Sequence, residues 1–424
     1  MEDPRNQPSG DDLSTAPESR RRFLRRGVLA VGLTLAHTAL GRTAEAAERQ
    51  APNEPTVPDD PTKVPGAPPS EYGQRSRFEQ AARQAGGPSH SLTPLQDLYG
   101  IVTPSALHFE RHHNGVPFID PSRHRLLIHG LVERPMMFTL EELKTFPSVS
   151  RLAFIECSGN SGREWEGPGG HTAQETHGLL STSEWTGVPL KTVLREAGVK
   201  PAATWMLAEG SDAAAMTRSI PLPEALEEAL LCYAQNGEAL RPEQGYPLRL
   251  LLPGWEGNAS IKWLRRLKLG DAPFMTREET SHYTDLMPDG TARQFTLVMD
   301  AKSLIVSPSG GQRVHPGFVE IRGLAWSGRG RITRVEVSTD GGRSWLPAGL
   351  QGPVLPKCTT AFRFQWHWTG EDTLIMSRCT DETGYVQPTR QALISVRGLH
   401  SYYHYNAIQS WQIARDGTVR NAHV

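Results

Sequence analysis

One cysteine, Cys157, stands where an apolar run gives way to a glycine-rich loop, in the stretch R-L-A-F-I-E-C-S-G-N-S-G from Arg151 to Gly162. Leu152 to Ile155 reads as a buried strand, and Gly159, Asn160 and Gly162 break it into a loop. A thiol delivered at a strand end into such a loop suits a soft metal, because thiolate is the ligand form and the loop leaves room beside it. The alternative is a cysteine that only fills core space. Cys232, Cys358 and Cys379 complete the set without any C-x-x-C spacing or C-x-x-C-H haem attachment sequence. Cys232 reads as core at the end of an apolar helix. Cys358 and Cys379 fall in a strand-rich region and could pair or stay free. His108, His112 and His113 lack the further well-spaced ligand that a zinc site needs. No dinucleotide fingerprint, P-loop or nucleophile elbow is present.

The elements that must position Cys157 are legible in outline. Thr139-Leu-Glu-Glu142 is a capping box opening a helix that stops before Pro147. Leu190 to Ala197 is amphipathic and ends at Gly198, and Pro223 opens a further helix predicted through Leu231. Asn236-Gly237 makes a turn, while Tyr246–Leu252 and Ile261–Leu269 read as strands. Residues 92–287 therefore read as a mixed α+β domain. From 288 to 424 the pattern changes to short alternating strands, as in Val319–Gly328, Ile332–Trp345, Phe362–Trp368 and Thr373–Cys379, with Asp340-Gly341-Gly342 as a tight turn. That spacing predicts a β-sandwich of immunoglobulin type, joined to the first domain near Pro288-Asp289-Gly290.

The N-terminus reads as a twin-arginine export signal over residues 1–46: S-R-R-R-F-L-R from Ser19, an apolar stretch from Val28 to Leu40, and Ala44-Glu45-Ala46 as cleavage site. That route carries folded, often cofactor-loaded proteins and places the mature chain in the periplasm. The apolar stretch is too short to serve as a membrane anchor. Residues 47–91 are Pro-rich at first and then polar, an extended strap with a short helix expected between Gly73 and Gly87. Cleavage would remove 7 basic and 6 acidic residues and take the formal charge from −1 to −2. So balanced a charge gives no support for nucleic-acid binding.

Taken together, the residues from about Thr103 to the C-terminus resemble the sulfite oxidase family of mononuclear molybdenum enzymes. The family's F-x-R-x-H motif is matched by Phe109, Arg111 and His113, and its C-x-G-N loop by Cys157, Gly159 and Asn160. Asp212 in E-G-S-D, Arg249 in Gly245–Gly254, and Ser260, Ile261 and Lys262 in S-I-K-W match its cofactor contacts; Tyr283 matches its active-site tyrosine. The resemblance implies a molybdopterin-type cofactor with one molybdenum per chain, bound by Cys157 and held by Arg111, His113, Asp212, Arg249, Ser260, Ile261 and Lys262. It implies catalytic roles for Cys157, Tyr283 and Arg111, and a C-terminal dimerisation domain.

Two departures shape the expected reaction. Ser161 stands where sulfite oxidases carry a substrate-binding arginine, and Gln244 replaces a histidine of the animal enzymes. The wording T-P-S-A-L-H-F-E-R-H-H most resembles molybdenum subunits of the sulfane dehydrogenase branch, and no haem is expected in this chain. The implied partners are a dihaem cytochrome c subunit, within a heterotetramer built on a homodimer, and a sulfur-carrier protein whose cysteine-bound sulfane is oxidised with water as oxygen source. A sulfite:cytochrome c oxidoreductase, a reductase of oxidised methionine and a cofactor-less binding subunit are the alternatives.

Overall fold

The computed structural model describes residues 65–423. The twin-arginine signal and residues 47–64 of the Pro-rich strap lie outside them. Residues 65–74 form no helix or strand, and the chain from Arg75 onward makes one compact unit.

Its first lobe holds three sheets. A small one pairs Gln84–Ala85, His90–Leu92 and Glu110–Arg111. Ordered structure thus begins before Leu92, and the expected helix between Gly73 and Gly87 is absent: its last residues are drawn into the hairpin that precedes His90. A second sheet runs Glu238–Ala239, Leu230–Gln235, Leu180–Pro189, Val149–Glu156, with Arg249–Leu251 also paired to Leu230–Gln235. The third orders Met136–Phe138, Leu126–Gly130, Leu264–Gly270, Trp205–Gly210 and Thr217–Pro221. Within it Leu126–Gly130 and Leu264–Gly270 run parallel and the other pairs antiparallel, the mixed α+β character expected.

Helix Leu140–Lys144 starts at the Thr139–Glu142 capping box, with both reciprocal hydrogen bonds present. Leu190–Ala197 buries Leu190, Val193, Leu194 and Ala197, one face of a helix, and ends at Gly198 with φ 70°. The next helix spans only Leu222–Glu228, not through Leu231. Ala229 turns extended, and Leu230, Leu231 and Cys232 form a strand bonded on both sides, so sheet pairing overrides the helical pattern. Cys232 is core, but on a strand. The two later strands are shorter than expected because a turn at Gly245–Pro247 and the positive φ of Trp263, 54°, interrupt them.

The second lobe faces two antiparallel sheets. One orders Lys302–Ser307, Gly317–Trp326, Thr360–Trp368 and Gly349–Gln351; the other orders Leu346–Pro347, Ile332–Ser338, Thr373–Asp381, Ser410–Ile413 and Val419–Ala422. Ile321, Trp326, Val335, Phe362, Ile375 and Trp411 from both sheets pack in one core. All four cysteines are free thiols, so Cys358 and Cys379 do not pair. That same core takes in Phe154 and Leu180 from the first lobe. No helix among the described residues is long and apolar enough to cross a membrane.

Candidate active site

Strand alternation aims the residues around Cys157. Along Val149–Glu156 successive side chains point to opposite faces. Ala153 and Ile155 pack with Trp185 and Leu251 against Cys157, whereas Phe154 enters the second-lobe core. Cys157 continues the Ile155 side, and both line a cleft enclosing ≈ 670 Å³ of space, part of it open to solvent. Glu156 continues the Phe154 side and is fully buried.

Glu156 anchors the loop to the second lobe. Lys302 Nζ lies 2.9 Å from its Oε1, and Trp326 Nε1 donates to its Oε2 at 2.7 Å. Asn160 Nδ2 donates to Oε1 at 2.9 Å, so one carboxylate ties both ends of the Cys157–Asn160 turn to the sandwich. Ser158 is held by Asn258 through its hydroxyl and by the His404 amide through its carbonyl. Burial pushes the Cys157 thiol up, while the Gly159 N–H and Arg111 oppose the shift. A bound metal cation reverses that balance and gives the thiolate.

All nine residues singled out from the sequence line this one cleft: Arg111, His113, Cys157, Asp212, Arg249, Ser260, Ile261, Lys262 and Tyr283. Electrostatically the cleft has two ends. Arg111 acts on both Cys157 and Tyr283. Tyr283, held at φ 48°, places its hydroxyl 3.3 Å from His113 Nε2, with the Arg218 guanidinium 4.9 Å from its ring centre. Burial raises the Tyr283 phenol, so it stays protonated and able to donate. Arg218 is itself fully buried between Glu256 at 3.0 Å and Glu279 at 2.8 Å.

At the other end two cations crowd. Burial lowers Arg249 to about 10, and burial with Arg249 beside it pushes Lys262 down to about 7. Arg249 Nη1 and Nη2 donate to the Gln244 and Ser260 carbonyls, leaving its Nε without a partner, and its guanidinium stacks over Trp185. Lys262 Nζ donates to the Glu243 carbonyl at 2.9 Å. A buried guanidinium beside a half-buried ammonium calls for an anion such as a phosphate. In the same cleft His108 Nε2, His112 Nδ1 and Asn258 Oδ1 are buried without partners, donor and acceptor atoms suited to a heterocycle. Burial and the nearby cations hold His108 at about 3, so it is neutral.

These features fit a molybdopterin-type cofactor: one soft thiolate, unsatisfied polar atoms along the cleft, and a cationic terminus. Among the described residues no group of three or more His, Cys, Asp or Glu could cage an ion, and the three histidines near residue 110 line the wall without clustering. A metal here would take one protein thiolate and the rest of its donors from the cofactor. Ser260 and Ile261 contribute differently from expectation. The Ser260 hydroxyl accepts from Leu252 N–H, and the Ile261 amide bonds to Ala259, so these groups shape the wall.

Sequence reasoning missed His108, Met216, Asn258 and Trp263 as lining residues. Asn258 sits two residues before the recognised S-I-K-W, the one positional signal available. Gln244, noted only as a replacement, donates to the Phe109 carbonyl at 2.8 Å and so holds the strand carrying Arg111. Arg397 does not reach the cleft: it is buried against Asp285 at 3.2 Å.

The fold and this cleft define a molybdopterin-dependent oxidoreductase, and comparison with known proteins agrees. Residues 113–278 match the oxidoreductase molybdopterin binding domain, and residues 293–411 the Mo-co oxidoreductase dimerisation domain. The chain is 31% identical to the sulfite oxidase of Gallus gallus over 379 residues, covering 82% of this chain and 80% of that protein. It is 32% identical to a nitrate reductase of Hordeum vulgare, of whose length it spans 35%. A solved structure, the sulfane dehydrogenase SoxCD from Paracoccus pantotrophus, superimposes with a TM-score of 0.82 at 48% identity, covering 84% of this chain and 94% of that one. The chain belongs to the sulfite oxidase family of molybdenum enzymes.

Proposed function

We propose that this chain is the molybdenum subunit of a periplasmic sulfane dehydrogenase, which oxidises a sulfane sulfur held on a carrier-protein cysteine and passes the electrons to a c-type cytochrome. The observation that carries this reading is the 48% identity across 94% of a SoxCD chain. In balanced form, R–S–S⁻ and three waters give R–S–SO₃⁻, six protons and six electrons, taken in two-electron steps.

The cofactor, when bound, supplies oxygen-atom transfer from water and accepts two electrons per step. Cys157 holds the metal as thiolate. Arg249 and Lys262 hold the terminal phosphate, Asp212, His113, Ser260 and Ile261 wall the pterin, and Arg111 steadies developing negative charge on the substrate side. Tyr283 donates a hydrogen bond towards the reacting oxygen while its phenol keeps its proton. In this reading residues 1–46 are the export signal, 47–91 a strap, 92–287 the cofactor domain and 288–424 an immunoglobulin-type sandwich that pairs two copies, each with a dihaem subunit.

Ser161 supports a sulfane rather than a sulfite substrate. It is buried beside the cysteine loop with its Oγ unpartnered and does not line the cofactor cleft, so it leaves that cleft without the added charge a free dianion needs. Restoring the cation in Ser161→Arg lowers KM for free sulfite about tenfold, the size of one charge-assisted hydrogen bond; an unchanged KM removes serine from the specificity argument. The deciding experiment is cytochrome c reduction by metal-loaded protein, with and without its dihaem partner, comparing carrier-bound sulfane with free sulfite. Partner-dependent reduction by carrier-bound sulfane is the expected result. Fast reduction by sulfite alone would instead make the chain a sulfite:cytochrome c oxidoreductase.

A further inference from the structure

A second, larger cleft borders the loop after Cys157 and shares no lining residue with the cofactor cleft. It encloses ≈ 1140 Å³ of space, partly open to solvent. A sulfur oxyanion would fill a small fraction of that space. Its surface is rich in glycine for steric reasons. A Cβ on Gly159 or Gly162 would stand 3.1 Å from ring atoms of Tyr402, and one on Gly169 would fall 2.4 Å from Arg163 Cβ. The glycines let Tyr402 and Arg163 lie directly on the backbone, so this chain's own side chains fill that wall and a visiting segment must itself be small there.

One side of the cleft is a sheet edge. Gln84–Ala85 is the outer strand of its sheet, paired only with His90–Leu92. The next residue, Gly86, donates its N–H to His90 O at 3.1 Å. By antiparallel alternation Ala85 then turns its own N–H and C=O away from the hairpin, to the free edge. Such an edge takes an added strand.

The cleft also carries positive charge without a partner. Arg163 is exposed on it and has no hydrogen bond or ion pair among the described residues. Burial, then Arg111 in the cofactor cleft and Arg163 here, hold the His90 ring below its usual range. Two carboxylates also line the cleft, and local donors occupy both: His423 Nε2, the Gly169 amide and Asn421 lie on Glu164, and the His171 amide and Gln84 Nε2 on Glu175. Tyr402 forms the partition. Its ring rests on Gly159, whose Cβ position is also 3.9 Å from the Cys157 sulfur, yet Tyr402 is 55% exposed.

We propose that this cleft is the docking groove for an extended, small-residue segment of a partner protein, which adds as a strand along Gln84–Ala85, sets an acidic end against Arg163 and presents one side chain past Tyr402 towards Cys157. This deepens the function proposed above and rests on it only for that side chain being a sulfur-bearing cysteine. Tyr402 then acts as the specificity partition between a groove for polypeptide and the metal end of the cofactor cleft.

The test is fluorescence anisotropy of the holoenzyme with a fluorescein-labelled octapeptide, Ala-Gly-Ala-Gly-Cys-Ala-Glu-Glu, its cysteine S-sulfonated. Saturable binding is expected, weakened about tenfold by Ala85→Pro, which removes the outward N–H. Arg163→Glu should weaken it at least as much, and as a surface change it keeps the test valid if the proline variant misfolds. Inorganic thiosulfate should not displace the peptide. Displacement by thiosulfate, affinity unchanged in both variants, or no binding at millimolar peptide each overturns the groove. The two readings separate cleanly. Oxidation is followed on the same peptide carrying a cysteine persulfide, because the S-sulfonate is the product state: persulfide peptide that binds normally but is never oxidised leaves the groove standing and removes the sulfane dehydrogenase reading. Turnover of carrier-bound sulfane with both variants binding like wild type removes the groove alone.

Discussion

At the residue scale, the thiol and the paired cations set the sharpest expectations. Cys157→Ser should give a folded protein whose turnover falls more than about a hundredfold, beyond the 10–100-fold typical of residues that merely support a metal ligand. Molybdenum content and circular dichroism on the same sample check it, and retained turnover would remove Cys157 as ligand. Lys262 gives a prediction with a definite sign. Burial and Arg249 lower it from the ordinary 10.5 to about 7 in the empty cleft. Between those values the unfolded chain binds more protons than the folded one, so stability rises with pH. Below pH 7 both states hold the proton and the slope vanishes, leaving the cofactor-free protein least stable there. Denaturant unfolding of cofactor-free protein from pH 7 to 9 should show a rise of at most about 1 kcal/mol per pH unit, and Lys262→Met should flatten it.

At the element scale, the strand Val149–Glu156 and the loop after it are the device that aims the chemistry. Ala153, Ile155 and Cys157 lie on the cofactor side and Phe154 and Glu156 on the second-lobe side, so Glu156 and Cys157 diverge although adjacent. The Glu156–Lys302 pair is buried on both sides, at 0% and 1% side-chain exposure. Lys302→Met leaves the carboxylate buried and uncompensated and should cost about 3–5 kcal/mol. Adding Glu156→Gln should recover much of that loss, since removing both charges avoids the stranded one. Guanidinium unfolding of the two variants decides it: a double variant less stable than Lys302→Met would mean the pair contributes beyond mutual neutralisation. Heating holoenzyme of the same variants and following release of molybdenum reports whether the loop has loosened.

At the scale of the whole molecule, the two lobes are not independent modules. Phe154 and Leu180 of the first lobe lie in the core of the second, and Lys302, Trp326 and His404 of the second hold the turn that carries Cys157. A chain truncated at residue 287 should therefore expose Glu156 and Phe154, aggregate or bind a hydrophobic dye, and retain no molybdenum. A soluble, metal-retaining truncation would show that the second lobe serves association alone. The intact chain should unfold from Arg75 onward in one cooperative transition, seen as coincident fluorescence and circular dichroism curves.

The sequence by itself determined the local parts. The capping box at Thr139, the amphipathic Leu190–Ala197 helix, the strand leading to Cys157 and the alternating strands after residue 300 follow from short-range pattern, and the structure has them. The nine site residues named from motifs that keep their spacing along the chain all line the cleft, though further lining residues were not named. Other features depended on contacts distant in sequence. Leu230–Cys232 is a strand because two strands bond it from either side, which outweighs a weak helical pattern. Glu156 meets Lys302 across 146 residues, and Asn258 and His108 enter the cleft from loops whose chemistry has no periodic signature. The second cleft is the clearest case: the hairpin edge, the glycine loop and Tyr402 are separated by most of the chain. Residue pattern fixes which face a side chain takes on its own element, whereas only the packed fold decides which faces meet.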